Sequence, residues 1–477
     1  MERTIFPPSS PLDAVPGIAT KREMIQHMAA PEKEYLSYLK DLIGSHREFD
    51  IIEFFSELHP VDIAELIDNL DEQEMLRLFS LLDVEKASDV ILELSDASRE
   101  QILGDISNKK LTEIIDEMES DDAADFIAAL SDEKARLVLD GIEPEESEDI
   151  KELLKYDDDT AGGIMQSELI TVNEAATIND ALKAVAAASE DIEHVYNVFV
   201  VDEENRLVGT ISLQRLITAK RTSKVIESVD DDIPHVLPDV DQEEVARIFG
   251  RYDLVSLPVV DHSGQIIGRI TIDDIIDVME EETSEDIYRV AGLDEDDSVL
   301  NKPLISIRKR LPWLFLNLLT TLISVIVIGF FEDTIQVMVV LAVFMPVVAA
   351  LGGNAGSQTL TLIVRGLAVG EVNHGNLKKA FVRQVIVGIA NGVVVGTLIG
   401  LVAFWWKGTP LLGIILGLAM IINIFVGTLV GTLIPLSLKI FRLDPALGSH
   451  IFLTAFTDAF GFLSFLGLAT LFLKTLS

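Results

Sequence analysis

Five apolar stretches occupy the C-terminal third of the chain, at about 311–331, 335–364, 381–404, 411–438 and 447–473. At about 1.5 Å of helical rise per residue, about 20 residues span the roughly 30 Å hydrocarbon core of a bilayer. Backbone polar groups find no water in lipid, so such stretches fold as helices that satisfy their own hydrogen bonds. The sequence therefore predicts an all-α transmembrane bundle of five helices.

Asp458 is the single ionisable side chain in the last stretch, IFLTAFTDAFGFLSFLGLATLFL (451–473). A carboxylate at such a position costs roughly 2.5–3.5 kcal/mol on insertion scales, and it normally faces a pore or a partner. The second stretch carries Asn354 and Gln358 on one helix face, and the fourth carries Asn423. Membrane amides serve either as hydrogen-bonding groups between helices or as pore lining, and the sequence leaves both interpretations open.

The charge is divided very unevenly along the chain, whose formal net charge is −41. Residues 1–301 hold 73 of the 78 acidic residues and 25 of the 37 basic ones, whereas residues 302–477 hold 5 and 12. A soluble part this acidic repels phosphate, which argues against a nucleic acid partner, and multivalent cations are its natural counter-charge. The absence of cysteine excludes disulfides and thiolate metal sites.

The basic residues near the apolar stretches predict the orientation in the plasma membrane. The segments that join the first stretch to the second and the third to the fourth carry little charge beyond Glu332, Asp333 and Lys407. The ends on the other side of the membrane are rich in basic residues, and by the positive-inside rule they are cytosolic. The acidic N-terminal part is then also cytosolic, and the C-terminus is outside. The basic residues at the cytosolic ends are Lys302, Arg308, Lys309, Arg310, Arg365, Lys378, Lys379, Arg383, Lys439 and Arg442.

The soluble part divides by composition and pattern. Apolar residues at three- and four-residue spacing predict helices from about Glu32 to Leu154, and related units recur at 59–67, 83–91 and 119–127. Such recurrence is typical of a small solenoid of helix pairs. The expected domains are a flexible tail without a signal peptide (1–31), an acidic helical N domain (32–154), an α+β region (155–279), an acidic connecting helix (280–303) and the transmembrane domain (304–477).

Two segments of the α+β region resemble each other. Residues 196–217 align with 254–276, and each reads as a strand, a polar turn, a strand and a helix. The pair resembles tandem CBS domains, a family that often binds adenosine nucleotides. In that family a Ser or Thr and an Asp before the final helix hold the ribose, which implies Thr271 and Asp274 as contacts for ATP; the first repeat has Ser212 without the Asp. The alternative is a CBS pair used only as a dimerising, cation-sensing platform.

The connector at 272–299 is rich in acidic residues. If it is helical, Asp274, Asp277, Glu281 and Glu285 share one face at spacings of three and four residues. Like charges at these spacings repel by a few tenths of a kcal/mol per pair. This repulsion indicates a cation that relieves it, and the alternative is a solvated acidic linker.

The chemistry left for the membrane part is that of oxygen ligands. The sequence contains no nucleophile–base pair, phosphate loop or metalloprotease motif near the apolar stretches, so we expect no enzyme. Carboxylate, amide and carbonyl oxygens select hard cations, and Mg²⁺ keeps its waters and needs only one or two carboxylates. One subunit offers a single Asp458, which favours a symmetric dimer in which two such side chains meet a hydrated ion.

The whole chain resembles the MgtE family of magnesium channels. The motifs that carry this resemblance are YDDDTAGGIM (156–165), PVVAALGGNAGSQTLTLIVRG (346–366), FRLDPALGS (441–449) and FTDAFGF (456–462). The resemblance implies a homodimer with its pore at the subunit interface, Asp458 as the intramembrane Mg²⁺ ligand and a role for Asp444 at the cytosolic mouth. It also implies acids that bind regulatory Mg²⁺, namely Asp121 or Asp122, Asp241, Glu243, Asp253, Asp274, Asp277, Glu281, Glu282 and Glu285.

The expected function is therefore a Mg²⁺-selective channel that imports Mg²⁺ and closes when cytosolic Mg²⁺ binds the acidic domains. Asn354 joins Asp458 as a candidate ligand in the pore. Two alternatives are kept: a divalent cation channel for Co²⁺ or Mn²⁺, and a non-conducting membrane-anchored sensor of nucleotides or cations. The lack of cysteine, and of histidine at the centres of the apolar stretches, disfavours softer ions.

Overall fold

The computed structural model describes residues 31–188, 192, 194–294, 297, 299, 302–373 and 375–476. The flexible tail predicted for 1–31 therefore lies almost wholly outside the described residues. Internal contacts divide the chain into two compact units, 1–275 and 276–477.

The first unit begins with short helices that stack in a regular order. Asp71 and Asp83 cap two of them through their side chains, as Asp at a helix start commonly does. From the third helix onward, contacts join helices two positions apart, which is the packing of a helical solenoid. Up to residue 153, the described helices are α1 (Pro31–Gly44), α2 (Glu48–Glu57), α3 (Pro60–Asp68), α4 (Glu72–Leu81), α5 (Val84–Glu93), α6 (Asp96–Asp105), α7 (Asn108–Asp116), α8 (Ser120–Ala128), α9 (Asp132–Leu139) and α10 (Pro144–Leu153).

The two predicted repeats follow, and their strand–turn–strand–helix order is confirmed. Asp202 and Asp261 hold the two turns identically, each accepting hydrogen bonds from backbone N–H groups two and four residues on. Strand β1 pairs in parallel with β2, and the other two pairings are antiparallel. The elements are β1 (Thr171–Asn173), α11 (Ile178–Ala188), β2 (Asn197–Val201), β3 (Leu207–Ser212), α12 (Leu213–Thr218), α13 (Gln242–Tyr252), β4 (Ser256–Val260) and β5 (Ile266–Thr271).

One hydrophobic core joins the solenoid to the second repeat. It runs from Phe54 through Ile114 to Val259 and Ile270, all of them almost fully buried. The first repeat has a separate core around Ile178. The second repeat is thus packed as part of the helical domain, which brings acidic residues of α8 towards β5.

The acidic connector is helical, as predicted, but its bounds differ from 280–303. Helix α14 covers Ile272–Ala291 and contains the division between the two units. Gly292 follows with φ 72°, a backbone conformation that favours glycine and ends helices. The next helix begins at Pro303, a residue well suited to a first turn.

All five predicted membrane spans are helices long and apolar enough to cross a bilayer. The first begins at Pro303 rather than near 311, so the basic residues at 308–310 lie within its first turns. A short helix, unpredicted, separates the first two spans. The second unit contains α15 (Pro303–Gly329), α16 (Glu332–Val337), α17 (Val340–Ala368), α18 (Leu377–Lys407), α19 (Pro410–Ile440) and α20 (Ser449–Leu476).

Helix α19 is the centre of the bundle and contacts α17, α18 and α20. Its approach to α18 depends on small residues that recur every four positions. A Cβ added to Gly396 would lie 2.6 Å from the carbonyl oxygen of Gly417, and one added to Gly400 would lie 2.7 Å from that of Gly413. The two backbones therefore touch, which is the packing that small-residue ridges allow in membranes.

Candidate functional site

The polar residues of the membrane bundle fall into two groups by exposure. Asp458 on α20 is half-buried, whereas Asn354 and Gln358 on α17 are exposed. A Cβ on Gly353 would lie 3.9 Å from Oγ1 of Thr457, so α17 and α20 pack together next to the positions of Asn354 and Asp458. We call Asn354, Gln358 and Asp458 the polar face.

Asn423 is not part of the polar face. It is fully buried and donates a hydrogen bond from Nδ2 to the backbone oxygen of Val348, 2.7 Å away. A Cβ on Gly461 would lie 2.8 Å from that Nδ2 atom, so a glycine leaves room for the amide. Of the two interpretations left open by the sequence, the structure favours the interhelical hydrogen bond for Asn423.

A second cluster of polar residues lies in the first unit, where α8 meets the second repeat. Gln166 Nε2 donates to Glu119 (2.7 Å) and to Asp274 (3.4 Å), and Ser120 donates its hydroxyl to Glu168 (2.8 Å). Asp121 is 6% exposed beside them. We call this the N-domain cluster; its carboxylates are those of Glu119, Asp121, Asp122, Glu168 and Asp274.

Burial and mutual repulsion make this cluster electrostatically costly. Burial raises the pKa of Glu119 to about 7, and the neighbouring Asp274 and Glu168 add to the effect. Burial, together with Asp274, Asp122 and Glu119, holds the pKa of Asp121 well above its usual value. Arg269, 2% exposed, opposes the rise at Glu119. The cluster therefore binds a proton readily, and a metal cation would relieve the same repulsion.

The raised pKa of Glu119 predicts a pH dependence. The folded cluster binds its proton more tightly than the unfolded chain, so its stabilising contribution is complete below about pH 4.5 and is lost as pH rises through about 7. In Mg²⁺-free buffer, amide exchange in α8, corrected for its intrinsic pH dependence, should quicken across this interval. Glu119→Gln should weaken that dependence, and Asp132→Asn, an exposed acid on α9, should not. An unchanged slope in Glu119→Gln would contradict this assignment.

The two predicted nucleotide contacts lie side by side. Asp274 accepts hydrogen bonds from the backbone N–H of Thr271 (3.2 Å) and from its hydroxyl (2.6 Å). These bonds hold the first turn of α14. The same carboxylate belongs to the N-domain cluster. Asp274 therefore both accepts hydrogen bonds at the start of α14 and lies among the other carboxylates of the cluster.

Three other predicted ligands lie at opposite ends of α13. Asp241 precedes the helix and accepts a hydrogen bond from the N–H of Glu243 (2.9 Å). Asp253 follows the helix in a left-handed conformation with φ 52°. The 11 residues of the helix span about 17 Å at 1.5 Å per residue, so within one protomer Asp253 does not join the other two around one ion.

On α14, Asp277 and Glu281 are exposed, whereas Glu282 and Glu285 are half-buried. Glu285 forms an ion pair with Arg289, which forms a second ion pair with Asp444 (Nη1 to Oδ2, 3.0 Å). Asp444 also accepts a hydrogen bond from the N–H of Ala446 (2.8 Å). Two predicted metal ligands, Glu285 and Asp444, are thus brought together by a guanidinium group.

Among the described residues, no three carboxylate, imidazole or thiol side chains converge as a preformed metal site. Sequence reasoning missed Glu119, Gln166, Arg269 and Arg289, because their importance comes from contacts between residues far apart in the chain. The similarity between the two repeats did not point to any of these four residues.

Family models match most of the chain. A model described as a divalent cation transporter, MgtE, matches residues 345–468. A model of the MgtE intracellular N domain matches 58–159, and the CBS domain model matches 161–221 and 226–281. These matches confirm the tandem CBS pair and the helical domain before it.

Two bacterial relatives are about one third identical to this chain over the residues that align. The magnesium transporter MgtE of Thermus thermophilus is 34% identical over 329 residues, 68% of this chain and 73% of that protein. That of Enterococcus faecalis is 33% identical over 326 residues, 68% and 72% of the two chains. The crystal structure of the cytosolic domain of the Mg²⁺ channel MgtE in complex with ATP is 33% identical and covers 51% of this chain and 99% of its own, with a TM-score of 0.49. The chain is a multi-pass membrane protein that belongs to the MgtE family.

Proposed function

We propose that the chain is a Mg²⁺ channel that imports Mg²⁺ across the plasma membrane as a homodimer, with its pore between the subunits. The observation that carries this proposal is the polar face. Asn354 and Gln358 are exposed and Asp458 is half-buried on the surface of one protomer. Lipid contact at a carboxylate and two amides is costly, and a second copy that presents the same face would cover them and enclose a polar path.

The ligand chemistry of that path suits Mg²⁺. Two copies of Asp458 would supply two carboxylates, and Asn354 would supply amide oxygens from the neighbouring helix α17. A hydrated Mg²⁺ ion is held by one or two carboxylates while it keeps several of its waters. Relatives named magnesium transporters support the same ion. A transporter of this kind carries out no enzymatic reaction.

The proposed orientation places the acidic N-terminal part in the cytosol and the C-terminus outside. The basic residues lie near the start of α15, the end of α17, the start of α18 and the end of α19. Those positions face one side of the membrane when the helices cross it in alternating directions.

Cytosolic Mg²⁺ would then close the channel through the acidic residues. The N-domain cluster is the best supported site, because its carboxylates repel one another, Asp121 is buried and the other four residues are half-buried. If the closed state binds Mg²⁺ more tightly, rising Mg²⁺ shifts the population towards it. Regulatory roles for Asp241, Glu243, Asp253, Asp277, Glu281 and Glu282, and ATP binding at Thr271 and Asp274, stay predictions.

Two other functions predict different results. A channel for Co²⁺ or Mn²⁺ uses the same oxygen ligands, and a non-conducting sensor needs no polar face in the membrane. The exposed amides and the half-buried Asp458 favour conduction over the sensor.

We expect purified protein in proteoliposomes to take up Mg²⁺ down its gradient, and we expect Co²⁺ and Mn²⁺ to compete weakly. The measurement is the fluorescence of a Mg²⁺ indicator trapped in the liposomes, with protein-free liposomes as the control. Uptake of Co²⁺ or Mn²⁺ in preference to Mg²⁺ would support the first alternative. No uptake of any of the three ions would support the sensor.

A further inference from the structure

Arg289 occupies the place that a divalent cation would need between two acids of the second unit. Its Nη1 atom lies 3.0 Å from Asp444 Oδ2, and the same atom pairs with Glu285 one helical turn before it. The other oxygen of Asp444 accepts a hydrogen bond from Ala446 N–H at 2.8 Å. As placed, the guanidinium group of Arg289 bridges the two carboxylates, so a Mg²⁺ ion would have to displace it to bind between them.

The residues around Arg289 also favour its ion pairs with Glu285 and Asp444. Arg289 is about 30% exposed and its two partners about 25%, so solvent screens the pair only in part. Asp286 lies beside them, and burial together with Asp444 raises its pKa, whereas Arg365 and Arg289 oppose the rise. Three carboxylates thus share two guanidinium groups. In the N-domain cluster, burial and the mutual repulsion of the carboxylates raise the pKa of Glu119 and Asp121, so a divalent cation would relieve that repulsion there.

Arg289 also fixes the end of α14 against the membrane helices. Its carbonyl oxygen accepts a hydrogen bond from Gly448 N–H (3.0 Å), just before α20 begins. The next residue, Val290, packs on a small core made by Leu360, Val364, Ala446 and Leu453. A Cβ on Gly292 would lie 2.9 Å from Ile451 Cδ1, so the chain passes directly over the first turn of α20.

We propose that Arg289 is a built-in cation that docks α14 onto the start of α20 through Asp444 and Glu285, in place of a Mg²⁺ ion at that position. This deepens the proposed function, on which it rests. Arg289 supplies a constant attraction that favours the docked helix, and Mg²⁺ at the N-domain cluster supplies the variable part. The MgtE resemblance implied Mg²⁺ at Glu285 and Asp444, and the arrangement of this chain assigns those two acids to Arg289 instead.

The test uses one reporter cysteine in a chain that has none of its own. Val290→Cys conserves volume and places a thiol in the half-buried contact with α20. The rate of maleimide labelling of the full-length protein in nanodiscs then measures undocking of α14 over a series of Mg²⁺ concentrations. The variants in this background are Arg289→Gln, Asp444→Arg, and the charge exchange Arg289→Asp with Asp444→Arg. Arg308→Gln, which removes an exposed arginine near the start of α15, is the matched control.

Arg289→Gln should raise the labelling rate at zero Mg²⁺ by about tenfold, since the charged hydrogen bonds that hold α14 in place are lost. It should also raise the Mg²⁺ concentration for half protection. Asp444→Arg alone should do the same, the charge exchange should restore both values towards the parent, and Arg308→Gln should change neither. Gel-filtration profiles equal to the parent's confirm that each variant is folded.

The opposite shift would overturn the proposal. If Mg²⁺ had to bridge Glu285 and Asp444, removing the competing guanidinium in Arg289→Gln would lower the Mg²⁺ concentration for half protection. A folded charge-exchange variant that labels as fast as Asp444→Arg would also overturn it. If the parent shows no Mg²⁺-dependent protection, the proposed gating fails, while the labelling rates at zero Mg²⁺ still decide the role of Arg289.

Discussion

Asp458→Ala should abolish Mg²⁺-dependent growth when the variant is the sole Mg²⁺ uptake system of a transport-deficient strain. Both subunits would lose their carboxylate from one site, and each charged contact of this kind contributes about 1.5–3 kcal/mol. The loss in uptake is expected to be on the order of a hundredfold. The half-buried position of Asp458 on α20 makes a folding defect a smaller concern, because the side chain fills no closed core.

Two further variants complete this experiment: Asp458→Asn tests the role of the charge, and Asp333→Ala is the control. Asparagine keeps an oxygen at the site but removes the charge, so its uptake should lie between those of the wild type and Asp458→Ala. Asp333 is an exposed acid in the short helix α16 and should be replaceable without loss. Equal membrane abundance of all variants is checked by immunoblot. Growth of Asp458→Ala equal to that of the wild type would remove Asp458 from the pathway.

Asp121→Ala should flatten the response of the channel to cytosolic Mg²⁺. Removing this buried carboxylate lowers the repulsion within the N-domain cluster at zero Mg²⁺ and removes a ligand at millimolar Mg²⁺. Both effects reduce the ratio of the flux at zero Mg²⁺ to the flux at several millimolar Mg²⁺, and we expect roughly a tenfold reduction for one charged contact. The measurement is Mg²⁺ current in excised membrane patches with the cytosolic side perfused.

Asp132→Ala is the matched control, since it removes an exposed acid from the neighbouring helix α9 and should leave the ratio unchanged. A steep Mg²⁺ response in Asp121→Ala, equal to that of the wild type, would show that the N-domain cluster is not the sensor. Regulation would then have to come from the exposed acids of α13 and α14.

Much of the fold is readable from the sequence because its signals are local. An apolar stretch with one carboxylate identifies both α20 and Asp458, and a glycine at every fourth position of α18 indicates that this helix packs closely against a neighbour, which the structure shows to be α19. The paired turns at Asp202 and Asp261 reveal the two repeats. The ends of helices are harder to predict from the sequence. Helix α15 begins eight residues before the predicted span, because a membrane helix can extend beyond the apolar stretch that crosses the bilayer.

The candidate sites depend on contacts that no local pattern records. Glu119 and Asp274 are 155 residues apart in the chain and share Gln166 as a hydrogen-bond donor. Arg289 and Asp444 are equally distant in sequence. A run of acids on α14 predicts repulsion, but it does not reveal that an arginine on the same helix neutralises one of them. For the same reason, Asn423 could not be told from a pore-lining amide.

The most direct test of the central claim, a Mg²⁺ pathway between two copies of this chain at Asp458, is chemical cross-linking of Asp458→Cys in native membranes. The wild type contains no cysteine and serves as the control. We predict that a bismaleimide reagent, which links thiols that are too far apart for a disulfide, converts the variant to a covalently linked dimer on a denaturing gel. A variant that stays monomeric, while it is present in the membrane at wild-type abundance, would contradict a pore at the subunit interface.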